Sequence, residues 1–221
     1  MAIIKKGILG GFSNKVGNVV GSTWKGINTM RSLPAQYNDA NSVSQQANRS
    51  TFKYFAGFGS QLLTGIIRPL WDWQAKRMSG YNLFIKRNID YRNANEDTWS
   101  IEDLIISQGR LCQAEVINDG VNPENNLHLN IVSDLQCSIG EPSDEIFVAI
   151  FDHDEKMLYA GMVGTRGEVQ VDGTYLLQAE ITCPQIKGHP ELNVYVAARN
   201  SRLKEVSDNT YYYATGLVWE E

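Results

Sequence analysis

The most compact group of residues that could support chemistry is Asp152-His153-Asp154-Glu155. Its carboxylate oxygens are ligands that suit calcium. The group stands between two apolar segments, however, where Asp followed by charged residues is typical of a turn. We therefore predict a solvent-exposed hairpin turn here, with a bound cation as the less favoured alternative, and we expect no metal site in the chain.

The remaining histidines and the cysteines do not form a catalytic pattern. His128 and His189 are distant in sequence from each other and from the cysteines, so a zinc site or a Cys–His nucleophile would need the fold to gather them. Cys112, Cys137 and Cys183 are odd in number and lack CxxC spacing, which predicts reduced thiols in the core. We expect no catalytic residue and no cofactor.

A glycine-rich segment, residues 7–34, contains six glycines in 28 residues, and its charged residues, Lys15, Lys25 and Arg31, are all positive. It is not a phosphate-binding P-loop. No glycine directly precedes Lys15, and Val16 stands where that motif has the Ser or Thr that holds magnesium.

Basic and aromatic residues are interleaved near the N-terminus, a combination that could bind phosphates and stack bases of single-stranded nucleic acid. These residues are Lys5, Lys6, Phe12, Lys15, Trp24, Lys25 and Arg31. We favour a different interpretation, in which the charges lie on a ribbon that pairs with other protein chains.

Glycine at this density suits neither a helix interior nor a tight core strand. We predict that residues 1–40 form an extended, basic Gly-rich arm or hairpin, with turns at Gly17-Asn18 and Gly21-Ser22. Trp24 is the expected anchor. The residues to which we assign assembly are Gly10, Gly11, Lys15, Gly17, Gly21, Trp24, Lys25 and Arg31.

Residues 41–95 are predicted to form an αα-hairpin. Ser42 and Gln45 fit a capping box, in which each side chain binds the other residue's backbone N–H. Apolar residues recur at helical spacing through residues 52–67, and Pro69 is expected to end or kink that helix just before it. A second helix is expected to carry its apolar face on Trp71, Ala75, Met78, Tyr81, Ile85 and Ile89.

Residues 100–221 are predicted to form an acidic antiparallel β-sandwich of seven or eight short strands with an immunoglobulin-like layout, which makes the fold class α+β. Residues 145–152 are apolar on both faces, as in a central strand, and residues 127–131 alternate like a half-buried strand. Further strands are expected at residues 157–163, 168–171, 175–182, 192–199 and 210–218. The Cys–Trp–Cys signature of true immunoglobulin domains is missing.

The net charge of −5 conceals a strong asymmetry along the chain. Residues 1–95 hold 13 lysines and arginines against three acids, a balance of +10. Residues 96–221 hold seven lysines and arginines against 22 aspartates and glutamates, a net charge of −15. The two halves can attract each other within one molecule, meet between neighbouring copies, or leave the basic half to contact nucleic acid.

No apolar run reaches the ~18–20 residues that a membrane-spanning helix needs. The N-terminus places its lysines after its first apolar residues, the reverse of a signal peptide. We expect synthesis in the cytoplasm, and a virion as the final location if the protein leaves the cell inside a particle.

Several segments together carry a family resemblance: residues 7–26, 30–34, 45–52, 78–82, 106–111, 194–200 and 206–211. The chain resembles an uncharacterised family of Bacteroidota proteins and their mobile elements, domain of unknown function six-two-six-six. Ser44 stands where that family often has a proline-led helix start. The resemblance implies a shared fold plan but no activity, cofactor or catalytic residue.

These features favour a non-enzymatic structural subunit of a repetitive assembly, with a virion or phage-like particle as the leading setting. The Gly-rich arm can add its edge to a neighbour's sheet, the two halves carry opposite charge, and the predicted sandwich offers surface without a catalytic constellation. The expected partners are copies of the chain or other particle subunits.

Two other functions remain as alternatives. One is a nucleic-acid-associated protein that binds through the basic half, against which the acidic half argues by repelling phosphate. The other is a carbohydrate- or surface-binding module in which the sandwich loops make contact through Trp99 or through Tyr211, Tyr212 and Tyr213. We favour a different interpretation of the three tyrosines, as alternating residues of a strand. An enzyme ranks last.

Overall fold

The computed structural model describes residues 2–4, 12–24, 26–34, 36, 39–95, 98–121, 126–134, 140–167 and 174–219. These residues form one long helix, shorter helices and three antiparallel sheets. None of the helices in the described ranges has the length and apolar character to cross a bilayer.

The N-terminal residues form a four-stranded sheet. Its strands are β1 (Ala2–Ile4), β2 (Asn14–Val16), β3 (Val19–Trp24) and β4 (Ile27–Ser32), in the spatial order β1-β4-β3-β2. The turn at Gly17-Asn18 is confirmed, and it joins β2 to β3. Gly17 has φ +58°, as the first of the two central residues of a type II′ hairpin turn requires.

The predicted turn at Gly21-Ser22 is wrong, because both residues lie inside β3, where Gly21 pairs with Asn14 and Met30. Gly21 instead allows a close approach. A Cβ atom at this position would lie 2.3 Å from the carbonyl oxygen of Phe12 and 2.6 Å from its ring. The missing side chain therefore makes room for Phe12 on the sheet.

The first helix, α1 (Val43–Leu62), begins at the predicted capping box. The N–H of Gln45 donates to Ser42 Oγ at 3.3 Å, and the N–H of Ser42 donates to Gln45 Oε1 at 3.1 Å. Pro69 is predicted to end or kink the helix near Arg68; the regular α-helix ends earlier, at Leu62, and helical structure continues past Pro69 to Trp71. A π-helical segment, Leu63–Ile67, continues into α2 (Arg68–Trp71), and Pro69 lies in the first turn of α2, where a missing N–H is tolerated.

The second predicted helix begins later than its apolar spacing suggested. Helix α3 spans Gly80–Ala94 and is capped by Ser79, whose Oγ accepts from the N–H of Asn82 at 3.2 Å. Trp71 belongs to α2, and Arg77 has φ +61°, so the chain turns between the two helices. Ala75 and Met78 thus lie outside the helix to which the spacing assigned them.

The remaining strands form two sheets. The five-stranded sheet contains β7 (Glu145–Phe151), β8 (Met157–Thr165), β10 (Glu191–Asn200), β11 (Glu205–Val206) and β12 (Thr210–Thr215). Its order is β8-β7-β10, and both β11 and β12 pair with the far edge of β10. The three-stranded sheet is β5-β6-β9, formed by β5 (Glu115–Val121), β6 (Leu127–Asp134) and β9 (Thr174–Ile181). The strand predicted at residues 168–171 lies outside the described residues.

Two hydrophobic cores lie on opposite faces of the five-stranded sheet. The first takes side chains from this sheet and from the three-stranded sheet: Val116, Leu127, Leu129, Ile131, Ile146, Val148, Ile150, Leu158, Ala179, Ile181, Leu192, Val194, Val196, Ala198 and Ala214. The second joins the sheet to the helices: Phe55, Phe58, Leu62, Ile66, Ile67, Leu70, Trp71, Phe84, Ile85, Phe147, Ala149, Phe151, Tyr195, Ala197 and Val206. Strand β7 is buried on both faces, so the prediction of a central strand is confirmed.

The prediction of reduced cysteines is confirmed for Cys183 and wrong for Cys112. Cys112 is disulfide-bonded, whereas Cys183 has a free, half-buried thiol that donates to the carbonyl oxygen of Leu158 at 3.4 Å. The third cysteine, Cys137, lies outside the described residues. The expectation of reduced thiols is therefore wrong for Cys112.

Replacing Phe151 by Ala should lower the free energy of unfolding by about 3–5 kcal/mol, because its fully buried ring packs between Phe58 and Tyr195 at centroid distances of 5.3 and 5.7 Å. Phe52→Ala, on an exposed turn of α1, is the matched control and should change stability by no more than about 0.5 kcal/mol. Equilibrium unfolding in urea measures both. Equal losses in the two variants would contradict the assignment of the second core.

Candidate functional site

One face of the N-terminal sheet combines positive charge with exposed apolar surface. Side chains alternate between the two faces of a strand, and residues paired across strands share a face. Val20 pairs with Lys15 on one side and Arg31 on the other, while Trp24 pairs with Ile27. These five residues form what we call the basic face. The side chain of Trp24 is 57% exposed on it.

The opposite face of the sheet is also partly apolar. Phe12 lies over Gly21, and Val16, Val19 and Met30 occupy paired positions on the same side. Val16 is 63% exposed. Both faces of the sheet therefore carry apolar side chains that the described part of the chain leaves exposed to solvent.

Within the described residues, the N-terminal sheet is not covered by the rest of the chain. Neither hydrophobic core takes a side chain from it, and its strands contact mainly one another. A sheet of this size normally buries an apolar face against another layer. The missing layer is the main structural reason to regard this sheet as a binding surface.

The polar residues of the sheet stabilise it locally. Ser22 Oγ and Thr29 Oγ1 lie 2.7 Å apart across β3 and β4, and Thr23 Oγ1 donates to Asn28 Oδ1 at 2.7 Å. Among the described strands, β2 pairs with β3 alone, so its other edge offers backbone groups that a further strand can pair with.

The structure brings together five of the eight residues to which assembly was assigned. Lys15, Trp24 and Arg31 are on the basic face, Gly17 forms the β2–β3 turn, and Gly21 accommodates Phe12. The other three, Gly10, Gly11 and Lys25, lie outside the described residues.

The acidic group at Asp152–Glu155 forms the predicted turn, between β7 and β8, but it is less exposed than expected. Asp152 is buried, and its Oδ1 accepts from the N–H of Lys156 at 2.8 Å. Glu155 has φ +60°, and its Oε2 accepts from the hydroxyl of Tyr54 at 2.8 Å. In the described ranges, no three His, Cys, Asp or Glu side chains are grouped to hold a metal ion.

The tyrosines of β12 alternate along the strand as predicted. The ring of Tyr211 packs against that of Tyr195, with the ring centroids 5.3 Å apart. The hydroxyl of Tyr212 donates to Asp119 Oδ1 at 2.5 Å, and the hydroxyl of Tyr213 donates to Glu191 Oε2 at 2.7 Å. The hydrogen bond to Asp119, together with burial, raises the pKa of Tyr212 to about 12. The hydroxyl groups of Tyr212 and Tyr213 therefore form hydrogen bonds to other residues of the same chain.

Sequence reasoning missed a polar groove between the start of α1 and the end of α3. Arg92, near the end of α3, donates from Nη1 to Thr51 Oγ1 at 2.6 Å, and both line the groove with Tyr54 and Trp99. Only Trp99 was singled out in the sequence. Arg92 and Thr51 are 41 positions apart, and no sequence motif connects them.

The model of a family described as a family of unknown function (DUF6266) matches residues 11–174. No curated protein and no solved structure matches the chain.

Replacing Gly21 by Val should loosen the N-terminal sheet and leave the two cores intact, because the new side chain would collide with Phe12. Hydrogen exchange should show faster exchange at the β3 and β4 amides. Gly120→Val is the matched control: Gly120 also lies in a strand, but its added Cβ would meet nothing within 4 Å. Unchanged protection of β3 in the Gly21 variant would contradict the packing described here.

The stability of the protein should fall as the pH rises from about 10 to about 12. Tyr212 titrates near pH 12 in the folded chain and near pH 10 when unfolded, so its neutral form favours folding below pH 10 and this contribution is lost above it. Tyr212→Phe should flatten part of this decline in unfolding experiments at stepped pH. An identical pH slope in the variant would contradict the role of the Asp119 hydrogen bond.

Proposed function

The chain belongs to the DUF6266 family, and we propose that it is a non-enzymatic structural subunit that assembles with other copies of itself through the N-terminal sheet. The observation that carries this proposal is the exposed apolar surface of that sheet. Full burial of a side chain such as Val16 contributes about 1.5–3 kcal/mol, and no layer of the described chain supplies that burial.

Charge favours a second copy as the occupant of the basic face. Lys15 and Arg31 flank Val20 there, and the first 95 residues carry +10 while the remainder carries −15. The basic face of one copy is therefore complementary to the acidic part of the next. Such a head-to-tail contact joins different surfaces and propagates into rings or filaments.

Because a head-to-tail contact can repeat from copy to copy, it can build a repetitive particle. We propose that this particle is a virion or phage-like particle. In that setting the glycine-rich segment acts as an assembly arm. The unpaired edge of β2 offers a further means of attachment, by adding to a strand of a neighbouring copy. Synthesis in the cytoplasm is part of the same proposal.

We also propose that the two sheets of the body form a β-sandwich with an immunoglobulin-like layout. The shared first core supports this, and so does the strand order. Counting from β5 and leaving out the two-residue β11, the first, second and fifth strands form one sheet, and the third, sixth and seventh (β7, β10 and β12) lie in the other. The fourth strand, β8, pairs with β7 instead of joining the first sheet as in constant-type immunoglobulin domains.

Nucleic-acid binding is a second candidate because Trp24 shares its face with two cations. An exposed aromatic ring beside lysine and arginine can stack a base while the cations bind phosphate. The acidic remainder of the chain opposes this function by repelling phosphate unless it faces away.

The oligomeric state of the full chain tests the proposal. Light scattering should show multimers that grow with concentration, weaken in high salt because charge pairs are screened, and are lost on deletion of residues 1–34 or in Val16→Lys and Trp24→Glu. Ile117→Lys is the matched control, since Ile117 is a strand residue of the body with 61% exposure against 63% for Val16. It should assemble like the unmodified chain.

A monodisperse monomer over the whole concentration range, or multimers that survive the deletion, would overturn the assembly proposal. Retardation of a single-stranded oligonucleotide, lost in Trp24→Glu and in high salt, would support the second candidate instead.

A further inference from the structure

Two adjoining cavities form one groove beside the N-terminal half of α1. Their volumes are about 380 and 420 Å³, in the range of small-molecule sites, and they share Ser50, Thr51 and Arg92. Tyr54 and Trp99 complete the first cavity. The second is completed by Ser44, Ala47, Asn48 and Asn93. We call the whole the α1–α3 groove.

Arg92 stands where the two cavities join. Its Nη1 donates to Thr51 Oγ1, and its Cζ lies 5.9 Å from the ring centroid of Trp99. Arg92 takes part in none of the ion pairs formed among the described residues. Tyr54, which lines the same cavity, donates its hydroxyl to Glu155. The guanidinium group therefore keeps donors that can bind a carboxylate in a bidentate manner.

The rest of the lining offers neutral polar groups and aromatic rings. The Ser44 hydroxyl and the amides of Asn48 and Asn93 can both donate and accept. The Ser50 hydroxyl already donates to the carbonyl oxygen of Ala47 at 2.8 Å, so it offers a ligand only an acceptor. Trp99 and Tyr54 add aromatic rings to the lining of the first cavity.

We propose that the α1–α3 groove binds a sugar that carries a carboxylate, of the uronic acid class. The single arginine fork matches the single charge and planar shape of a carboxylate. The hydroxyl and amide groups match sugar hydroxyls, which also donate and accept, and the rings of Tyr54 and Trp99 match the apolar C–H face of a pyranose.

The groove is separate from the proposed assembly surface. None of its lining residues belongs to the N-terminal sheet, and the first two turns of α1 beside it are exposed. Loss of assembly therefore leaves this inference intact, and loss of sugar binding leaves the assembly proposal intact.

Titration calorimetry on the full chain tests the inference with three probes: glucuronate, glucose and inorganic phosphate. Glucuronate should bind more tightly than either of the others. Arg92→Gln should weaken glucuronate binding about tenfold or more, because it removes a charged hydrogen-bond donor, and Arg92→Lys should recover only part of the loss because it keeps the charge but not the fork. Arg87→Gln, an exposed α3 residue outside the groove lining, is the matched control and should bind normally.

Circular dichroism of each variant shows whether it is folded, and the lysine variant keeps the test valid if Arg92→Gln does not fold. Equal binding of glucose and glucuronate, unchanged affinity in Arg92→Gln, preference for phosphate, or no binding of any probe would each overturn the inference.

Discussion

The body of this protein depends on two central strands that are buried on both faces. In β7 and β10, alternate side chains enter different cores: Val148 and Val196 point to the three-stranded sheet, while Phe147 and Tyr195 point to the helices. Because one sheet serves both cores, neither the helices nor the smaller sheet can be removed without exposing apolar surface of the central strands.

A buried ion pair joins the start of β7 to the end of β8, at one end of the larger sheet. Arg166 Nε lies 3.0 Å from Asp144 Oδ2, and both side chains are fully buried. Burial lowers the pKa of Arg166, and the charge of Asp144 opposes that shift. Asn200 donates to Asp144 at 2.6 Å, and Arg166 also donates to the carbonyl oxygen of Cys112. A buried pair with such additional hydrogen bonds resists separation, since a lone partner would be an uncompensated charge.

The contrast between this body and the N-terminal sheet explains why the two are assigned different roles. The central strands are covered on both sides, whereas Val16 and Trp24 are more than half exposed on strands that no other layer of the described chain covers. The groove beside Arg92 differs again: it is polar, concave and built from two helices that the second core holds in place. Apolar exposure suits contact with protein, and a cationic polar cleft suits a small anionic ligand.

Local chemistry made parts of this structure predictable. The capping box at Ser42, the hairpin turn at Gly17 and the doubly buried β7 each depend on neighbouring residues, so the sequence alone determined them. Tertiary structure decided the rest. Gly21 is needed because Phe12 packs over it, and Arg92 donates to Thr51 because two helices pack together. The physical reason is the same in each case: these features arise from contacts between chain segments that local patterns of polarity and turn residues do not encode.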